Sequence, residues 1–215
     1  MDLKLPLPID AQRVIKYVGA KDDALDLELF SSLESLLVST AKPKAVYREL
    51  SPIPDEIIIG EDVKKHLSGC YKAIIFAVTL GVETDILIRK TAVKDVYHQV
   101  LLDAMASVAT EQTSELFENG LKSEYLSRNE YLTLSYAPGY GDYSLSVLPF
   151  FLSALDSCRK IGVSLGDNGF MLPRKTICAI IGVSHSPVSG FRAGCEHCAM
   201  NKSCKLRKEG KTCVR

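Results

Sequence analysis

Two spacings of apolar residues alternate along the chain, one of helical period and one of strand period, and together they predict its elements. Residues 10–18 predict a short helix with Asp10 as a suitable N-cap. Over residues 22–39, Leu25, Leu29, Leu33, Leu36 and Leu37 recur at helical spacing, and Lys42-Pro43 closes the segment. Residues 45–50 alternate like a strand. Residues 56–59 predict a short second strand, joined to the first by a link that Pro52 and Pro54 stiffen. A short helix over 61–68 is stopped by Gly69. Residues 71–79 are apolar and nearly unbroken, as in a strand covered on both faces. They run into Leu80-Gly81-Val82, and a helix starts near Glu83. Gly81 lacks the further glycines of a dinucleotide or phosphate loop.

The longest helix is predicted over 94–121, where Val100, Leu101, Ala104, Met105 and Val108 form an apolar stripe. Glu111 falls on the same stripe at 3.6 residues per turn. A carboxylate there is costly to bury unless it is paired or meets a polar ligand; otherwise the helix leaves the core at that point. Residues 131–135 read as a strand, and 146–160 as an amphipathic helix closed by Gly162. Residues 175–184 predict another apolar strand, running into His185-Ser186-Pro187. Strands and helices do not alternate strictly. The expected class is therefore α+β, a curved mixed or antiparallel sheet packed with helices, rather than a doubly wound fold.

Between the strand at 131–135 and the helix at 146–160 lies Ser135-Tyr136-Ala137-Pro138-Gly139-Tyr140-Gly141. Pro138 fixes its φ and removes an amide donor, while Gly139 can adopt angles closed to other residues. Such a turn can bring bare backbone and two tyrosine faces against a flat ligand. It also fits an ordinary surface turn.

Composition narrows the classes. The chain has 215 residues, 47% hydrophobic and 24% charged, which suits one folded domain or two small ones. A formal net charge of zero argues against a basic nucleic-acid binder. No apolar run approaches a membrane span, and no secretory leader pattern opens the chain, so the expected compartment is the cytoplasm. Neither GxSxG nor GxxxxGK[ST] occurs, and the four scattered histidines, His66, His98, His185 and His197, form no zinc-protease pattern. Cys70, Cys158 and Cys178 lie singly in apolar segments and are expected to pack as small hydrophobes.

The remaining cysteines, Cys195, Cys198, Cys204 and Cys213, crowd at the C-terminus with the spacing Cys-x2-Cys-x5-Cys-x8-Cys. Four thiolates can close a tetrahedral zinc site or hold an iron–sulfur cluster, and the spacing does not decide between them. From Arg192 to Arg215 there are seven Lys or Arg against two Asp or Glu. That basic rim would offset thiolate charge or meet an acidic partner.

With these parts in place, the chain resembles the activation domain of cobalamin-dependent methionine synthase, from about residue 72 to 187. Tyr136-Ala137-Pro138-Gly139-Tyr140 is similar to the family's Arg-Pro-Ala-Pro-Gly-Tyr motif. The helix carrying Asp95-Val96-Tyr97-His98 and Glu111 is similar to its long helix, and Ser184-His185 to its Ser-His-Pro. The resemblance implies an S-adenosylmethionine site formed by Glu111, Tyr136, Ala137, Pro138, Gly139, Tyr140, Ser184 and His185, with Glu111 accepting hydrogen bonds from the ligand. It implies a role in methionine biosynthesis, in which the protein presents that methyl donor to cob(II)alamin on a partner corrinoid methyltransferase. The expected partner is the methionine synthase core, with a flavodoxin- or ferredoxin-type donor supplying an electron. Such a protein is a component of reactivation rather than a complete enzyme, and no residue is expected to do acid–base catalysis. The expected division is an N-terminal segment 1–70, a core 71–190 and a metal- or cluster-binding tail 191–215. Two positions depart from the family: Ser135 stands where its arginine would clamp a carboxylate, and Gly182 near where a tyrosine is expected. They carry the alternative, a metal-stabilised interaction module of the same fold that no longer binds S-adenosylmethionine.

Overall fold

The computed structural model describes residues 1–19, 25–191 and 201–208. In chain order the elements are α1 (Ala11–Val18), α2 (Leu27–Thr40), β1 (Lys44–Leu50), α3 (Glu61–His66), β2 (Lys72–Thr79), α4 (Val82–Lys94), α5 (Val96–Leu126) and β3 (Tyr131–Leu132). They continue with α6 (Leu148–Leu155), α7 (Ser157–Ile161), β4 (Ser164–Leu165), β5 (Met171–Leu172), β6 (Thr176–Ser184) and α8 (Lys205–Lys208). Mixed helix and sheet, as the sequence pattern requires, give the α+β class. Among the described residues no helix is long and apolar enough to cross a membrane.

The main sheet has the order β1-β2-β6-β3. β2 is central because its residues can be buried on both faces: every side chain from Ala73 to Val78 is fully covered. β2 and β6 run oppositely, since the Tyr71 amide donates to Val183 O at 3.0 Å and the Leu80 amide to Lys175 O at 3.0 Å. β1 opposes β2 in the same way, with the Lys42 amide 2.9 Å from Leu80 O and Lys72 Nζ 2.9 Å from Glu49 Oε2.

β3 pairs antiparallel with β6 in the register Tyr131↔Ser184 and Leu132↔Val183. The next bridge is Tyr136↔Ile180. Between the two the register slips by one residue, which is a β-bulge on the 133–135 side. The predicted strand 131–135 is thus cut short, and the bulge turns the chain out of the ladder just before Ala137-Pro138-Gly139. The alternation of residues 131–135 carries no sign of this extra residue.

By packing, the chain forms two compact units, one of Met1–Tyr47, Phe76–Leu121 and Leu152–Ile177, the other of Arg48–Ile75, Lys122–Phe151 and Cys178–Arg215. The first has an apolar core to which α1, α2, α4 and α5 contribute Val14, Leu33, Leu37, Ile88, Leu101, Met105 and Val108. Val100, expected on that stripe, is 46% exposed. Helix ends follow their capping signals. Asp10 accepts from the Arg13 amide, and Asp26 from the Glu28 and Leu29 amides. Asp95 separates α4 from α5 and caps the His98 amide at 3.0 Å.

Three expectations fail for local reasons. Residues 56–59 form no strand: Asp55–Ile57 is a 3-10 turn, and Ile57 is fully buried while Ile59, two residues on, is 42% exposed, so the two do not share a strand face. The helix expected over 146–160 breaks at Asp156, which adopts φ 52°. That break sends Ser157 inward, where its hydroxyl donates to Val163 O at 2.8 Å, and leaves Cys158 exposed rather than packed. The β4–β5 hairpin has no counterpart in the sequence pattern. Cys178 is buried as expected, and Cys70 is half-buried.

Candidate functional site

The Tyr136–Tyr143 turn is closed by its own backbone. The Gly139 amide donates to Tyr143 O at 2.8 Å, the Tyr140 amide to Ala137 O at 3.2 Å, and the Tyr143 amide to Tyr140 O at 2.9 Å. Gly139 has φ +96°, a conformation that L side chains rarely adopt, and a Cβ there would lie 3.3 Å from Leu145 Cδ2. The two tyrosines of the motif differ in exposure. Tyr136 is buried, with its ring 4.9 Å from that of His66 and 6.0 Å from that of Tyr143. Its hydroxyl is pushed up to about 12, chiefly by burial and in smaller part by the carboxylates of Asp62 and Asp142. Tyr140 is 64% exposed. The turn therefore presents one exposed aromatic ring beside side-chain-free backbone at Gly139. That is a chemically suitable seat for a cationic, flat ligand.

His66, which the sequence pattern did not single out, backs this turn. It is buried at the end of α3, with Nδ1 2.8 Å from Phe191 O and Nε2 2.9 Å from Leu134 O. Thr133 Oγ1 lies 3.0 Å from Nε2. Burial lowers the imidazole's proton affinity, partly countered by the two carbonyl contacts. Gly190 is needed for the close approach, since a Cβ there would meet His66 Cε1 at 2.6 Å.

Ser184 and His185 belong to another part of the same unit. Tyr136 pairs with Ile180, four residues before Ser184, a rise of about 13 Å along a strand. Ser184 is buried, and its hydroxyl accepts from the Ser186 amide at 3.1 Å. His185 is exposed and stacks on Tyr71, with centroids 4.1 Å apart and planes 10° apart. The Tyr71 hydroxyl donates to Glu130. Glu130 also pairs with Lys72 at 3.1 Å, and Lys72 with Glu49 at 2.9 Å. Tyr125 completes the group by donating to Glu49. Its hydrogen bond is the main reason the Glu49 carboxyl titrates below the usual carboxylate range, with Lys72 adding to the effect against burial.

Glu111 lies on α5 in the first unit, half-buried. The N-terminal helix packs across this face of α5. The Tyr17 hydroxyl donates to Glu111 Oε1, Arg13 pairs with Glu115 at 3.0 Å, and the Asp10 amide donates to Gln112 at 3.1 Å. The acid on the apolar stripe thus has a polar partner from α1.

Of the four cysteines of the tail, Cys195, Cys198 and Cys213 lie outside the described residues, and Cys204 is half-buried. Among the described residues no group of three or more His, Cys, Asp or Glu is placed to hold a metal ion.

Comparison with known proteins adds two findings. Residues 57–195 match the family described as "Vitamin B12 dependent methionine synthase, activation domain". The fold matches a solved structure titled "Crystal Structure of the MetH Reactivation Domain bound to AdoHcy", with a TM-score of 0.59, 16% sequence identity, and coverage of 96% of this chain and 78% of that one. Comparison with curated proteins gives no match.

Proposed function

The chain belongs to the family of vitamin B12 dependent methionine synthase activation domains, and from that membership we propose that it assists reductive reactivation of a corrinoid-dependent methyltransferase, with S-adenosylmethionine as methyl donor. The observation that carries the proposal is the turn within the matched span, where exposed Tyr140 flanks Gly139 at φ +96°. A sulfonium ligand suits that ring face. Glu111 would accept hydrogen bonds from the ligand's ammonium or ribose. Ala137, Pro138 and Gly139 would approach it with backbone, and Tyr136 would hold the turn from behind.

The chemistry needs no acid or base from this chain. The partner's cob(II)alamin would take up one electron and the methyl group, with S-adenosylhomocysteine as the leaving product. The protein contributes proximity, holding donor and acceptor together. The electron would come from a flavodoxin- or ferredoxin-type donor, and a cluster on Cys195, Cys198, Cys204 and Cys213 would relay it. Zinc on the same thiolates would make the tail structural instead. Metal analysis with visible absorption of anaerobically purified protein separates these: a broad band and iron support the relay, while zinc without a band removes it.

The test of the main proposal is methylation of an inactive cob(II)alamin-bearing methionine synthase core lacking its own activation domain, with S-adenosylmethionine and a reductant. Addition of this protein is expected to restore turnover. No restoration at saturating protein and millimolar S-adenosylmethionine overturns the role.

A second reading, an interaction module without the ligand, is favoured by one observation. Where the family's late-strand tyrosine is expected, Gly182 leaves room that Cys70 takes, for a Cβ there would lie 2.4 Å from Cys70 Sγ. Calorimetry showing partner binding unaffected by S-adenosylmethionine would select this reading.

A further inference from the structure

Asp142, near the distal end of the turn, makes contacts that the ligand reading does not use. Its carboxylate accepts from the first two backbone amides of α3, Oδ2 from Glu61 at 2.7 Å and Oδ1 from Asp62 at 3.0 Å. The Asp142 amide returns a bond to Asp62 Oδ2 at 3.3 Å. The Ser144 amide adds a longer one to Ile59 O at 3.4 Å. Gly60 precedes the two donor amides and has no side chain to cap them. Asp142 takes that place from across the fold. The fit leaves no spare room: a Cβ on Gly60, itself at φ +127°, would lie 2.5 Å from Asp142 Oδ1 and 2.8 Å from Asp142 O.

These bonds act on the turn from one end, while the Tyr136–Ile180 bridge holds its other end. Between them lie Ala137 to Gly141, bounded by three backbone bonds internal to the turn. A turn so short, with Gly139 and Gly141 both at positive φ, has many open conformations when either end is free. Two charge-assisted bonds from one carboxylate are the strongest restraint at the distal end.

We propose that Asp142 is a positioning residue for the S-adenosylmethionine turn, acting through the amides of Glu61 and Asp62 rather than by touching the ligand. This rests on the proposed function for the identity of the ligand, though not for the restraint itself. Asp142 holds Gly139 and Tyr140 in the ligand-ready arrangement before the ligand arrives, which lowers the ordering cost on binding.

The test compares the wild-type chain with Asp142→Ala, Asp142→Asn and Gly60→Ala, using calorimetric affinity for S-adenosylmethionine, thermal melting, and amide hydrogen exchange resolved at Gly139 and Tyr143. Asp142→Ala is expected to weaken binding on the order of tenfold and to speed exchange at both amides, with exchange in β2 unchanged. Asp142→Asn keeps one of the two acceptor oxygens, loses the charge and turns an NH2 donor toward the other amide, and is expected to recover only part of the affinity. Gly60→Ala, which displaces the carboxylate without removing it, is expected to resemble Asp142→Ala. Wild-type affinity in a folded Asp142→Ala protein overturns the proposal, as does unchanged exchange at Gly139 and Tyr143. If Gly60→Ala does not fold, the alanine–asparagine pair decides. If the wild-type chain itself binds no S-adenosylmethionine, the proposed function fails, and the exchange data alone judge the restraint.

Discussion

Two polar regions of the second unit are built in opposite ways. At the end of the sheet, Lys72 is 12% exposed and is shared by Glu49 and Glu130. Tyr125 and Tyr71 donate to those carboxylates, and the Lys72 ammonium lies 5.2 and 5.4 Å from their ring centroids. Each of these charges has its counter-charge and its donors within the chain. At the Tyr136–Tyr143 turn, restraint comes from backbone bonds and from Asp142, while Tyr140 stays 64% exposed. A network that satisfies itself has little left for a ligand, however unusual its residues. A turn held from behind keeps a ring and bare backbone available. Charge density is thus a poor guide to the site here, and a restrained surface with an exposed ring is a better one.

That contrast breaks first at Lys72. Lys72→Ala leaves Glu130, 12% exposed, without its cation. This is expected to cost about 3 kcal/mol and to lower the melting temperature by roughly 6–12 °C. S-adenosylmethionine affinity should stay within about twofold of wild type, measured in the folded protein by calorimetry. A large affinity loss with a small stability loss would reverse the roles of the two regions.

Ligand-side substitutions should show the opposite pattern. Glu111→Gln removes a charged acceptor and is expected to weaken S-adenosylmethionine binding by about tenfold or more, with melting nearly unchanged. Tyr140→Ala should weaken it by about two- to fivefold. Because that ring is exposed, stability should move by no more than about 0.5 kcal/mol. Wild-type affinity in Tyr140→Ala would remove the ligand from the turn, and wild-type affinity in Glu111→Gln would remove that carboxylate from its binding.

The smallest effects are in pH dependence. Glu49 has a lowered pKa in the fold, from 4.5, so unfolded chains take up its proton first as the medium acidifies. Its contribution is present above about 4.5 and is lost as pH falls through the folded value. Tyr125→Phe should flatten that acid limb in denaturation curves. His66 also has a lowered pKa, from 6.5, chiefly by burial. Its neutral form is the folded one, so stability declines as pH falls below about 6.5. His66→Gln should remove that decline while leaving the Glu49 limb in place.

The long strands and most helices were legible because their signals are local. Unbroken apolar residues from Ala73 to Val78 mark a doubly covered strand, and Asp10 marks a helix start through its side-chain acceptor. The bulge before Tyr136 was not legible, because an extra residue in a ladder is defined by its partner strand. The break at Asp156 was hidden for a similar reason. No Gly or Pro announces it, and it is accompanied by Ser157 Oγ bonds to Leu152 O and Val163 O that only the folded chain brings within reach. Of the candidate site residues, Pro138-Gly139 and the polar residue on an apolar stripe could be read from the chain. What surrounds them could not. Tyr17 on Glu111, the His66 ring beside that of Tyr136, and Asp142 on the Glu61 amide each join residues distant in sequence.

The most direct measurement is a nitrogen–proton NMR titration of the whole chain with S-adenosylmethionine. The expected result is saturable shifts concentrated at the Ala137, Gly139, Tyr140 and Gly141 amides and at Glu111, with Lys72 and Glu130 unmoved. Saturable shifts confined to other surfaces, or no shifts at millimolar ligand, would contradict a methyl-donor site on this turn.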